Sequence, residues 1–279
     1  MWTLFEPVHA VTYSAPEPLA AYQDAGLRGF WRGYFAGRAA PLGVTGAAVV
    51  TASFYNFAPS FVARAIPGVW DLISPEAALQ VRVDGAVAAL RRLLAGQEER
   101  VAAAADLLWE AASDLDCAGR VLAAANAALP VPGDSLARLW QAATLLREHR
   151  GDGHFAALTA ADVDGCEADV LRCAMDLRRE VMQRARGWTD EQWTAAEGRL
   201  ADRGWLAADG TLAAAGRAGH AAVEEATDHA ASRPWTRLGP AATAKLAESL
   251  LPIAQACVTA LSFPSPLGLP RPTWEGIAS

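Results

Sequence analysis

Helix-forming residues dominate this chain from end to end, and β-branched residues are sparse outside Val44–Val50. A β-sheet needs runs of Val, Ile, Thr and aromatics to cover its pleated faces. The sequence therefore predicts a mainly α, multi-helical protein. Its 279 residues are 52% hydrophobic, which allows a substantial core in one large or two ordinary domains.

Caps, prolines and glycines divide the chain. Leu4–Tyr13 reads as a helix ending before Pro16 and Pro18, and Trp31–Arg38 interleaves aromatics and arginines. Gly46–Arg64 reads as a helix interrupted at Pro59. Ser74-Pro75-Glu76 supplies an N-cap, a first-position proline and a first-turn acid for a helix to about Leu94. Helices over Glu98–Cys117 and Arg120–Ala128 follow, and Asp134-Ser135 caps another that runs through Trp140 to His149. Gly151 and Gly153 are then expected to turn the chain. Further helices are expected from near Thr159–Asp162, over Cys166–Arg186, and from the Thr189 cap to Arg203. Trp205–Leu212 reads as two short strands about an Asp209-Gly210 turn, before a long helix from Ala214 to about Ala231. Phe263–Pro272 is expected to be extended and to wrap the body. The expected domains are an N-terminal helical domain (1–155), a winged-helix-like domain (156–235), and a C-terminal helix with a Pro-rich tail (236–279).

The candidate site is a polar run inside apolar sequence, Arg147-Glu148-His149-Arg150-Gly151-Asp152-Gly153-His154. It holds two of the five histidines, with two arginines and two carboxylates. In this reading His154 and His149 are acid–base groups, and Asp152 orients His154. Arg147 and Arg150 are suited to a carboxylate or another oxyanion. The competing reading is a helix end whose cations satisfy carbonyls before a capped turn. Glu148, His149, Asp152 and His154 could also be read as metal ligands, but their spacing matches no known ligand motif, so no metal is expected. Trp31, Tyr34 and Arg38 share a helical face that could line an aromatic pocket with one orienting cation. Tyr55, Asn56 and Arg64 are candidate walls of the same pocket. Aromatic packing with snorkelling arginines is the alternative.

Several classes are disfavoured. Net charge is −7, and of the 24 cations only Lys245 is a lysine, so broad nucleic-acid affinity is not expected. Cys117, Cys166, Cys173 and Cys257 form no CxxC pair or zinc spacing and suit a reducing, cytoplasmic setting. No signal peptide, membrane span, P-loop, dinucleotide fingerprint or G-x-S-x-G is recognised, and no cofactor is expected.

Residues 185–231 resemble the winged helix of MarR-like regulators. The whole chain resembles an actinobacterial family of MarR-like proteins through LFEPVHAVTY, FWRGYFAGRAAPLG, FAPSFVARAIPGVW, LREHRGDGH and RGWTDEQW. The resemblance implies the fold and a helix-turn-helix ancestry, not a particular reaction. A recognition helix needs a neutral or basic exposed side. The candidate over Thr189–Arg203 carries Asp190, Glu191, Glu197 and Asp202 against Arg199 and Arg203, and the wing holds Asp209 without a cation. DNA is therefore not the expected partner. The leading expectation is a cofactor-independent acid–base enzyme of specialised metabolism, acting on an apolar or aromatic small molecule. The alternatives are a ligand-sequestering or resistance protein and a ligand-responsive repressor, and a homodimer is possible.

Overall fold

Caps and prolines set the helix starts. The computed structural model describes residues 1–263, 269 and 271–274. The N-terminal half contains Trp2–Ser14 (α1), Pro16–Asp24 (α2), Phe30–Ala39 (α3), Ala47–Phe54 (α4), Pro59–Val62 (α5), Pro75–Leu93 (α6), Glu98–Ala112 (α7) and Val121–Ala127 (α8). The Ser74 hydroxyl accepts from the Ala77 amide, as its place before Pro75 predicts. The helix expected over Gly46–Arg64 is broken at Tyr55, whose φ is +61°, and α7 stops at Ala112 rather than Cys117.

Ser135–Ala160 (α9) is the longest element, and Asp134 caps it by accepting from the Ala137 amide. The turn expected at Gly151 and Gly153 is absent, because both glycines lie inside α9. Each costs a helix about 1 kcal/mol relative to alanine. Packing on both sides overrides that local preference: Leu139, Trp140, Leu145 and Leu146 are buried before them, and Leu158 after them. The helix expected to begin near Thr159 is thus the end of α9, and residue 155 lies within it.

The rest comprises Gly165–Cys173 (α10), Arg179–Arg186 (α11), Asp190–Asp202 (α12), Ala214–Ala230 (α13), Arg233–Leu238 (α14) and Pro240–Cys257 (α15). The single helix expected over Cys166–Arg186 is therefore two. Thr189 caps α12 with a reciprocal box to Gln192. The expected pair of strands reduces to one antiparallel bridge, Leu206 to Leu212, closed by the Ala207 amide on the Thr211 carbonyl at 2.8 Å. Gly210, at φ +81°, makes the tight reversal. Most of the tail expected to wrap the body lies outside the described residues; Leu269 is buried, and Trp274 packs on the core.

The core has three clusters. One joins α1, α6, α7, α9 and α15 around Trp140. A second is an aromatic cluster of Phe35, Phe54, Phe57 and Phe61. The third packs α10, α11 and α12 around Trp193, with Leu206, Leu212 and Val223. At about 1.5 Å per residue, α9 reaches from the first cluster to the third.

The two glycines of α9 differ in surroundings. A Cβ at Gly151 would meet nothing within 4 Å, whereas one at Gly153 would lie 2.5 Å from Arg120 Nη1. That guanidinium is bonded to the carbonyls of His149 and Ala230. Gly151→Ala is expected to raise stability by about 0.5–1 kcal/mol. Gly153→Ala is expected to lower it by about 1–3 kcal/mol as Arg120 is displaced. Urea unfolding of both variants checks the pair.

Candidate functional site

Because α9 is continuous, its i, i+3, i+4 spacing places Arg147, Arg150, Gly151, His154 and Phe155 along one stripe. That stripe forms one wall of a cleft of about 170 Å³. The other walls are Trp2 and Glu6 from α1, Arg38 from α3, Phe54, Asn56 and Phe57, Asp169 and Arg172 from α10, and Met182 and Arg186 from α11.

The floor is an ionic chain. Glu148 accepts from Arg147 Nη1 at 2.6 Å and from Arg38 Nη2 at 3.3 Å. Arg147 Nε lies 3.6 Å from Glu6, which also accepts from Trp2 Nε1 at 3.2 Å. Arg38 donates to the Tyr34 hydroxyl at 3.1 Å and lies 4.1 Å over the Phe54 ring. Burial alone would push the Glu148 carboxyl up, but Arg147 and Arg38 outweigh it and hold it well below the usual carboxylate range. Burial dominates at Glu6, which is shifted upward against Arg147.

The cleft's mouth carries two further arginines. Arg150 lies 4.3 Å over Trp2 and reaches Glu224 at 3.1 Å and Asp228 at 3.2 Å. Arg186 lies 4.7 Å over Phe57, its Nε 3.8 Å from Asp169. The Nε–H groups of both are buried without a hydrogen-bond partner among the described residues. Asp169 accepts from Trp188 at 2.9 Å and Asn56 at 3.3 Å, and burial raises its pKa to about 6 despite Arg186.

His154 Nδ1 is 3.0 Å from Thr227 Oγ1. Thr227 already donates to the Val223 carbonyl at 2.7 Å, so its oxygen must accept from the imidazole. The proton therefore sits on Nδ1, and Nε2 keeps a free lone pair. Burial lowers this histidine to about 4, so it is neutral at pH 7.

The expected acid–base constellation is not assembled. Two helical positions from His154 lies the other side of α9, where Asp152 accepts from the Ala123 amide at 2.9 Å and caps α8. Asp152 cannot orient His154. His149 turns toward Asp116 and Arg233, and burial followed by Arg120 lowers it to about 4. Glu148, His149, Asp152 and His154 thus diverge, and among the described residues no group of three or more His, Cys, Asp or Glu side chains is placed to hold a metal ion.

Of the expected binding residues, Arg38, Arg147 and Arg150 line the cleft. Trp31 is packed edge-on against Phe57 and Phe61, and Tyr34 acts through Arg38. Tyr55 stacks behind Phe155 and bonds the Val163 carbonyl. Arg64 is exposed and lies 5.4 Å over the Phe61 ring. The sequence reading missed Glu6, Asp169 and Arg186. The 147/150/151/154 spacing was visible once α9 is read as unbroken, whereas no local signal marks Arg186 as a residue of the cleft.

The fold and cleft define a mainly helical protein with an arginine-rich cleft beside a set of short helices. A family model described as a helix-turn-helix family matches residues 1–264, and the chain belongs to that family. No curated protein and no solved structure matches it. No helix among the described residues is long and apolar enough to cross a membrane.

Removing one partner of a buried ion pair strands the other charge. Glu148→Ala is expected to lower unfolding free energy by about 3–5 kcal/mol. The folded pKa of Glu148 lies below its unfolded value of about 4.5, so its stabilisation is complete above that pH and declines on acidification. The deficit of Glu148→Gln should be widest at pH 7 and narrow below about pH 4.5, read by urea unfolding across pH.

Proposed function

We propose that the protein binds a compact anion with a flat apolar part in this cleft, on a winged-helix scaffold that does not engage DNA through α12. The observation that carries the reading is the pair of guanidinium groups, Arg150 and Arg186, in the cleft wall, whose Nε–H groups make no hydrogen bond among the described residues. Guanidinium donors match carboxylate, sulfonate or phosphate oxygens, and such bonds are strong where water is excluded. Trp2, Phe54, Phe57 and Phe155 supply apolar walls. The free Nε2 of His154 is an acceptor for a ligand hydroxyl or amine. With a pKa of about 4 it is a weak base at pH 7, which favours orientation over proton transfer. The open space at Gly151 keeps this wall clear.

The order α10, α11, α12, the 206–212 turn and α13 supports the winged-helix reading, in which α12 takes the recognition position. On α12, Asp190, Glu191 and Asp202 are exposed. Arg199 is held by Asp164 at 2.5 Å and Glu167 at 2.8 Å, and Arg203 by Glu167 at 3.1 Å. The wing's only charge, Asp209, is bonded to Thr211. Such a face repels phosphates. Family membership favours a second reading, a ligand-responsive regulator, which requires salt-sensitive duplex binding.

Benzenesulfonate, ionised at all accessible pH, tests the cleft by calorimetry. Binding is expected in the wild type, at least roughly tenfold weaker in Arg186→Gln, which loses a charge-assisted donor. Gly151→Leu is expected to abolish it while the fold persists. Asp169 gains a proton as pH falls through about 6, removing a negative charge beside Arg186, so affinity should rise from pH 7 to pH 5. Unaltered affinity in both variants sinks the reading, and duplex binding at low salt would favour the regulator.

A further inference from the structure

A second cavity, of about 570 Å³, adjoins the cleft between α1, α9, α13, α14 and α15. Its apolar walls include Phe5, Trp235 and Trp274, and Trp2 and Arg150 belong to the walls of both spaces. The Arg150 guanidinium over the Trp2 ring, 4.3 Å from its centroid, is therefore the partition between them.

This chamber also contains an unexplained polar group. Thr243 of α15 lines it, is 5% exposed, and its hydroxyl has no hydrogen-bond partner among the described residues. Helical threonines ordinarily bond back to the i−4 carbonyl. Thr144, Thr159 and Thr227 do so here, at 2.8, 2.8 and 2.7 Å. Thr243 does not, although its amide bonds the Gly239 carbonyl in the usual way. A chamber lined by three tryptophans and a phenylalanine, with this threonine in its wall, suits a ring system that carries one polar substituent.

We propose that the chamber holds the apolar body of the ligand whose anionic group meets Arg150. The ligand class is then an amphiphilic aromatic anion with one further polar group opposite Thr243. Arg150 faces both spaces, so a body seated in the chamber brings its anion to the same guanidinium that the cleft presents. This inference rests on the reading of the cleft as an anion site.

Two probes with one anionic group and different bodies separate the two claims: benzenesulfonate and 8-anilinonaphthalene-1-sulfonate. Calorimetry reads both, and energy transfer from tryptophan to the larger probe reports on the chamber. The wild type is expected to bind the larger probe at least roughly tenfold more tightly. Thr243→Phe, which fills the chamber, should remove that advantage and leave benzenesulfonate unchanged. Gly151→Leu, which fills the cleft, should abolish benzenesulfonate binding and weaken the larger probe. Thr243→Val keeps the volume and removes the hydroxyl, so it serves if Thr243→Phe does not fold. It should weaken the larger probe roughly threefold to tenfold. If both Thr243 variants bind both probes as the wild type does, the chamber proposal is overturned while the cleft reading stands. If Gly151→Leu changes neither probe, the cleft reading fails and the shared-ligand proposal fails with it.

Discussion

The buried ionic chain Glu6–Arg147–Glu148–Arg38 ties together α1, α9 and α3, three helices distant in sequence. Taking four charges out of water is expensive, and their mutual attraction compensates only where the geometry is good. Here Glu148 has a cation on each oxygen, and Arg38 gains a phenol and an aromatic face as well. An apolar floor would cost less to bury. What the ionic floor supplies is registration, because Arg38 reaches Glu148 and Glu6 reaches Arg147 only if α1, α3 and α9 stand at their present heights. It also leaves the cleft lined with cations whose positions are set by the core.

The sequence made the helical class legible, along with most capped helix starts. Ser74, Asp134 and Thr189 all cap as local chemistry requires, since a cap depends on neighbours within three or four residues. It was misleading where local preference and packing disagree. Gly151 and Gly153 resemble a turn, yet α9 passes through them because apolar residues on both sides are buried in different clusters. That single misreading dispersed the site. With a turn at 151, Asp152 and His154 read as neighbours; on a helix they face opposite ways, and Arg147, Arg150 and His154 come together instead.

Arg186 could not be found from the sequence for a different reason. It stands one residue before a helix-ending glycine, where a basic residue is ordinary. Its importance comes from tertiary placement, with its carbonyl accepting from Ala58 and its side chain lying over Phe57. Trp31 shows the converse. Its spacing with Tyr34 and Arg38 suggested a pocket face, but Phe57 and Phe61 of the aromatic cluster hold it edge-on instead. Only Arg38, long enough to reach past that core, arrives at the cleft.

The cleft's position bears on how a helix-turn-helix chain can serve a ligand. Asp169 and Arg186 belong to α10 and α11, the two helices that precede α12, while Arg150 belongs to α9. An anion held between Arg150 and Arg186 would therefore touch α9 and α11 at once. In a DNA-binding protein that coupling would be read out through α12. Here Asp190, Glu191 and Asp202 of α12 are exposed, and Arg199 within it and Arg203 just beyond it are both paired with Glu167. The same arginine–carboxylate pairs fasten α12 to α10, whose Asp169 and Arg172 line the cleft.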